Sequence, residues 1–266
     1  MPVTRRRLDT ELVRRGLATS RAEAQDAVRA GLVRVGGTPA TKAATLVAAD
    51  APVALVAPAR RFVSRGGEKL AAALERFAVD AAGLECLDAG ASTGGFTDCL
   101  LRAGASHVVA VDVGYGQLAW RLRTDPRVTV LERTNVRDLH PDGLGFRPEL
   151  ATADLSFISL RTVMPALAGL LAPGATAILL VKPQFEAGPA AVERGGVVRD
   201  PEVWRRVLSE VATSAGAARL VPQGLMASPI TGPAGNVEFL LWAVSLGPDA
   251  SLDVDEAVAE GIGVRP

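Results

Sequence analysis

Hydrophobic positions along this chain change their period near residue 60. Before it, in RRRLDTELVRRG (5–16), Leu8 and Leu12 stand four apart with Val13 in support, and Gly16 is placed to stop a helix. A second helix is predicted from Ser20, where Glu23 three residues on makes a capping box. Ala24, Ala27 and Val28 form its apolar stripe and Gly31 ends it. LVRVGG then alternates as a short strand before a Gly36–Gly37 turn, and APVALVAP reads as another. Two small helices followed by short strands predict a compact α+β unit over residues 1–59.

Residues 60–63 read as a linker within the basic stretch PARRFVSRGG (58–67), which has Pro58 in front and Gly66-Gly67 behind. From 64 to 266 the pattern differs. Leu70, Leu74 and Phe77 recur at helical spacing, and apolar strands then alternate with helices. Strands are expected at 85–88, 107–113, 128–131, 149–154, 176–182, 219–226 and 237–244. Helices are expected near 96–103, 115–123, 160–171 and 201–214. That alternation predicts an α/β domain, doubly wound around a mostly parallel seven-stranded sheet.

Composition sharpens this division. Hydrophobic residues make up 48 % of the chain, enough for a proper core. Formal net charge is zero, yet residues 1–65 hold 12 Lys or Arg against 5 acids, and the remainder holds 17 against 24. A basic first quarter suits a surface that meets phosphates, although a solvated basic face has the same charge. Cys86 and Cys99 sit in apolar segments and read as packing thiols. They have no metal-ligand spacing, so no metal is expected. MPVTRRRLDT has no apolar stretch after its charges and no run of about 18 apolar residues follows, so neither a secretory signal nor a membrane segment is expected. The expected protein is cytoplasmic and reduced, with a monomer favoured. Trp120, Trp204 and Trp242 are expected in the core.

Candidate chemistry begins at GLECLDAGASTGGF. Asp88 and Gly90 close one strand, and Ser92, Thr93, Gly94, Gly95 and Phe96 lead into a helix. A dinucleotide fold wants G-x-G-x-x-G, and Ser92 replaces its second glycine. A phosphate loop wants Lys-Ser/Thr, which is missing. The loop has no base and starts from a carboxylate, so it repels a pyrophosphate and suits the ammonium and sulfonium of S-adenosylmethionine. The carboxylate of that cofactor could lie against amides at the helix N-terminus. Asp112, ending the second strand 22 residues past Gly90, is placed to accept hydrogen bonds from ribose hydroxyls. Further on, Lys182 ends the apolar run ATAILLV, Asp154 ends the neighbouring strand, and Glu238 begins another. Lys69 lies on the helix before them. EAGPAAVERGGVVRDP (186–201), beside Lys182, reads equally as a substrate gate or a surface loop.

Two resemblances follow from these residues. RRLDTELVRRGLATSRAEAQDAVRAGLVRVGGTPATKA closely resembles the small S4 RNA-binding domain. The resemblance implies phosphate contacts from Arg6, Arg7, Arg21 and Lys42, with Arg65 at the junction. The order Lys69–Asp154–Lys182–Glu238 is similar to the catalytic tetrad of FtsJ-like 2′-O-ribose methyltransferases. Together with DAGASTGGF and SRGGEKL it resembles the TlyA family of ribosomal RNA cytidine 2′-O-methyltransferases. The implied fold is a Rossmann-like class I methyltransferase behind a small RNA-binding domain. The implied cofactor is S-adenosylmethionine, and the implied partner is ribosomal RNA, 16S or 23S or both, in ribosomal subunits. By the same resemblance Asn135 lies near the adenine. Phe62 stands where relatives carry Tyr or Trp. In that chemistry Lys182 meets the 2′-oxygen, either as the base or as a charged group that steadies the oxyanion; the residues leave both open. Alternatives are a hemolysin-like membrane-active protein, a non-catalytic RNA-binding protein, and a nicotinamide-linked oxidoreductase.

Overall fold

The computed structural model describes residues 5–56 and 61–265, and the chain divides into compact units at residues 60 and 61. Pro58 and Arg60 of the connecting segment lie outside the described residues. The first unit runs β1 (Arg5–Arg7), α1 (Leu8–Arg14), α2 (Arg21–Arg29), β2 (Val33–Val35), β3 (Thr38–Pro39), β4 (Leu46–Ala48) and β5 (Val53–Leu55). Leu8, Leu12, Ala24, Val28, Val33 and Val47 form its core. Gly16 and Gly31 follow α1 and α2 with φ of +69° and +72°, the left-handed stop that glycine takes without strain. Ser20 caps α2 by accepting the Glu23 amide, while the Glu23 carboxylate reaches back to Thr19. The sequence differs from the structure at residues 5–7, which form a strand. Arg5, Arg6 and Arg7 pair antiparallel with Ala48, Val47 and Leu46, a partner about forty residues away that no local period reveals.

The second unit begins with α3 (Gly66–Arg76), β6 (Glu85–Ala89), α4 (Gly95–Arg102), β7 (His107–Val111), α5 (Trp120–Arg123) and β8 (Val128–Leu131). It continues with α6 (Pro141–Leu144), β9 (Leu150–Ala153), α7 (Leu160–Leu170), β10 (Thr176–Val181), α8 (Pro183–Glu186), α9 (Pro201–Ala217), β11 (Leu220–Ala227), β12 (Phe239–Ser245) and α10 (Val254–Val264). The seven strands lie in the order β11-β12-β10-β9-β6-β7-β8. All neighbours pair parallel except β12, which runs antiparallel to both β10 and β11. Order reverses between β6 and β9, so a ligand crevice is expected at their carboxyl ends. Side chains of these strands alternate between two cores. Leu87, Ala89, Leu179 and Val181 face α7 and α9, whereas Cys86, Ile178 and Leu180 face α3 and α4.

Three expectations are corrected here. The helix expected near 115–123 is reduced to α5, because the Asp112 carboxylate accepts the Gly114 amide (2.6 Å) and Gly116 turns with φ +71°. Trp120 is 75 % exposed, not in the core. Leu122 of this short helix and Leu118 just before it pack inward against Gly94, and Trp120 is left outside. Phe62, placed in the linker by sequence, is buried; its ring lies where a Gly67 Cβ would stand, 2.2 Å away. The C-terminal helix α10 has no counterpart in the sequence-based elements. No helix among the described residues is long and apolar enough to cross a membrane.

Candidate active site

The carboxyl ends of β6, β7 and β9 open onto a cavity of about 440 Å³. One wall is Gly90, Ser92, Asp112, Gly114, Gln117 and Asn135; the facing wall is the segment Asp154–Ile158. The walls approach closely at Gly90, which has φ +84° and would place a Cβ 2.4 Å from the Asp154 carbonyl oxygen. Glycine is required there on both counts. Asp112 braces the first wall: its carboxylate accepts the Ser92 amide (2.7 Å) on one oxygen and the Gly114 amide on the other. Asn135 caps the next turn by accepting the Arg137 amide at 3.1 Å. The charged residues of the lining are the carboxylates Asp112 and Asp154, and no Lys or Arg is among them. This donor set repels a pyrophosphate and fits a cationic amino acid joined to a nucleoside. S-adenosylmethionine therefore fits the residues present.

The rest of the glycine segment works beneath the cavity. Asp88 is fully buried and accepts hydrogen bonds from Thr97 (2.6 Å) and Thr152 (3.1 Å). Burial pushes its carboxyl up to about 6, against the pull of the two threonine hydroxyls. It lies outside the cavity lining, beneath the loop that follows Gly90. Gly94 packs against Leu118 and Leu122, Gly95 against Ser64 and the Gly67 amide, and Phe96 against Gly66. These three let α3, α4 and α5 meet. Thr93 is exposed, and its carbonyl accepts the Ala119 amide.

Topology gathers the four tetrad candidates at one end of the sheet. Asp154 follows the last residue of β9 and donates its amide to the Ala89 carbonyl at 3.0 Å. Lys182 follows Val181, which is paired with Phe239; Glu238 precedes Phe239, so Lys182 and Glu238 flank the same register position. Two ion pairs result. Lys182 Nζ is 2.6 Å from Asp154 Oδ1 and donates to Ser156 Oγ at 3.0 Å. Lys69, on α3, pairs with Glu238, both being buried. Burial of both partners makes the second pair costly to break, since either alone would be an uncompensated charge. Ser156 was missed by sequence reasoning; a serine in DLSFISL carries no signal until the fold turns it toward Lys182.

In the first unit, Arg7 and Arg21 converge on buried Asp9, at 2.9 and 3.2 Å. Lys42 is exposed beside Ala43, whose carbonyl accepts the Asp9 amide. Arg6 is exposed, 4.0 Å from the Glu11 carboxylate. These residues share one region, and Arg7 and Arg21 also have a structural duty. Arg65 belongs to the other unit, at the start of α3.

Comparison with known proteins agrees with this architecture. The model of the family described as FtsJ-like methyltransferase matches residues 62–244, and that of the S4 domain matches 6–53. The chain is 56 % identical over 239 residues to the 16S/23S rRNA (cytidine-2′-O)-methyltransferase TlyA of Mycobacterium tuberculosis, covering 90 % of this chain and 89 % of that one. It is 48 % identical to YqxC of Bacillus subtilis, which carries an rRNA methyltransferase name, over 91 % of this chain and 86 % of that one. A solved structure from Streptococcus thermophilus that carries a hemolysin name aligns with a TM-score of 0.74 at 38 % identity, covering 98 % and 97 % of the two chains. With both domains matched and such identity along nearly its whole length, the chain belongs to the TlyA family of S-adenosylmethionine-dependent, FtsJ-like methyltransferases.

Proposed function

We propose that this chain transfers a methyl group from S-adenosylmethionine to the ribose 2′-hydroxyl of a cytidine in 16S or 23S ribosomal RNA, or both, acting on ribosomal subunits in the cytoplasm. One observation carries the reading: the Lys182–Asp154 pair stands at the edge of the cavity, with Lys69–Glu238 at the same end of the sheet. The cofactor supplies an activated methyl sulfonium. Gly90, Ser92, Asp112, Gly114 and Asn135 would hold it from one side and Asp154–Ile158 from the other. Lys182 would meet the 2′-oxygen. Held between Asp154 and Ser156, its amine has a fixed direction, and fixed geometry is a large part of what a bimolecular displacement requires. Lys69 would keep Glu238 neutralised beside it. The basic first unit would hold the RNA by its phosphates, since residues 5–56 contain no aromatic ring for stacking.

The test is a map of ribose methylation on ribosomal RNA from cells with and without this protein, followed by transfer of labelled methyl to purified subunits. A cytidine 2′-O-methyl mark that depends on the protein is expected. Identical maps, with no transfer in vitro, would overturn the reading.

A further inference from the structure

Glu186 has no place in the chemistry above, yet its carboxylate is buried and fully engaged. It accepts a hydrogen bond from Ser159 Oγ at 2.5 Å and from the Leu160 amide at 2.7 Å, and it lies 3.3 Å from Arg161 Nε. Arg161 in turn donates to the Glu186 carbonyl at 2.9 Å. These partners sit just past the cavity wall Asp154–Ile158, and Glu186 sits four residues past Lys182, at the end of α8.

The two segments touch at three points. Lys182 holds Asp154 and Ser156. The Phe185 ring lies against Phe157, centroids 5.3 Å apart. Glu186 holds Ser159 and the start of α7. At its other end the wall is tied to β6 through the Asp154 amide and the Ala89 carbonyl. Within this span Phe157 has φ +64°, a conformation a phenylalanine adopts when its surroundings impose it. A short strap with a strained residue in it needs both ends fixed.

We propose that Glu186 is a positioning residue of the methyl-transfer site: by pinning the far end of the strap, it sets where Asp154 and Ser156 stand relative to Lys182 and how the cavity wall faces the cofactor. It acts through those residues and touches neither cofactor nor substrate. The assignment rests on the proposed role of Lys182 and Asp154. The mechanism is geometric, so the hydrogen bonds matter and the charge does not. A glutamine can accept the Leu160 amide through its oxygen and donate to Ser159 Oγ through its nitrogen, keeping these two links and giving up the ion pair with Arg161.

The experiment compares wild type, Glu186→Ala, Glu186→Gln and Ser159→Ala in the full chain. It measures cofactor affinity by calorimetry without RNA, and single-turnover methyl transfer to purified subunits at saturating cofactor. Wild-type transfer in the same series tests the functional reading independently of Glu186. Expected is a fall in transfer rate of roughly ten- to a hundred-fold for Glu186→Ala, as for misplacement of reacting groups by a fraction of an ångström. Its cofactor affinity should be weaker as well. Ser159→Ala should show a smaller loss in the same direction, and it covers the case in which Glu186→Ala does not fold. Glu186→Gln should recover both quantities to within about threefold of wild type, an energy difference below that of one hydrogen bond. With wild type active, the proposal fails if Glu186→Ala and Ser159→Ala match it, or if Glu186→Gln is as impaired as Glu186→Ala. The latter result would assign the effect to charge.

Discussion

At the scale of single residues, two positions dominate the candidate site for opposite reasons. Lys182 matters for what it carries. Replacing it with alanine should reduce methyl transfer by at least about 100-fold, the scale of losing one group that acts on developing charge. Cofactor affinity, measured by calorimetry, should be largely unchanged, because the amine lies beside the cavity and is not among its lining residues. Turnover near wild type would remove Lys182 from the chemistry. Gly90 matters for what it lacks. Gly90→Ala meets both a φ of +84° and a carbonyl oxygen 2.4 Å from the new carbon. The neighbour is backbone and cannot swing aside, so stability should fall by about 1–3 kcal/mol. Cofactor binding should weaken with it. The positions of both residues were legible in the sequence, because each stands at the end of an apolar run. Asp88, Gly94, Gly95 and Phe96 were legible as a motif, but not as buried residues. Burial, which no motif states, turned them into the packing beneath the loop.

Among elements, α3 and α4 illustrate how close packing constrains sequence. Gly67 is helical and unstrained, yet its missing Cβ is the space that Phe62 occupies, with ring and Cβ atoms 2.2–2.6 Å from where it would lie. Gly67→Ala should displace the ring and cost about 1–3 kcal/mol, the scale of overpacking a core, read from a urea melt followed by fluorescence. An unchanged midpoint would show that the ring has room to move. Helical spacing in GGEKLAAALERFA foretold α3, but nothing local foretold that Phe62 would fold back onto it. For the same reason β1 was missed: three arginines have no strand period of their own, and β4 supplies the pairing. The stretch 115–123 failed in the other direction. Its residues suit a helix, but the Asp112 carboxylate captures the Gly114 amide first.

For the whole molecule, the basic first quarter and acidic remainder predict distinct responses to salt and pH. Arg6 and Lys42 are exposed, and Arg6 only approaches buried Glu11 at 4.0 Å, so Arg6→Gln with Lys42→Gln should lower RNA affinity and make log K against log salt shallower by about 1.5. An unchanged slope would reduce the basic surface to a solubility feature. Arg7 and Arg21 are poorer probes, because removing either also loosens buried Asp9. Acid should act on the two units with opposite sign. Arg7 holds the Asp9 carboxyl well below its usual range, and Arg14, then Arg15, lower Glu11 to about 2. A folded value below the unfolded one means stability present at neutral pH and lost as pH falls from 4.5 toward 2. Asp88 is raised from 3.8 to about 6 by burial, so its contribution is most favourable at low pH and is lost as pH rises through 6. Amide exchange on the whole chain should therefore show the second unit firming between pH 7 and 5, and Leu8 and Leu12 losing protection below pH 4. Loss of protection in both units together would contradict the assignment.

By itself, the sequence determined the alternation of strands and helices, the presence of a basic unit ahead of an α/β unit, and the residue types at the strand ends. Those properties follow from local periodicity and charge, which are written along the chain. The tertiary structure alone decided that Lys182 pairs with Asp154 and Lys69 with Glu238, that Ser156 joins the first pair, that Glu186 holds Ser159 and the start of α7, and that half of the glycine segment is packing. These depend on strand register and on which face a turn exposes. Both are set by contacts between residues tens to more than a hundred positions apart.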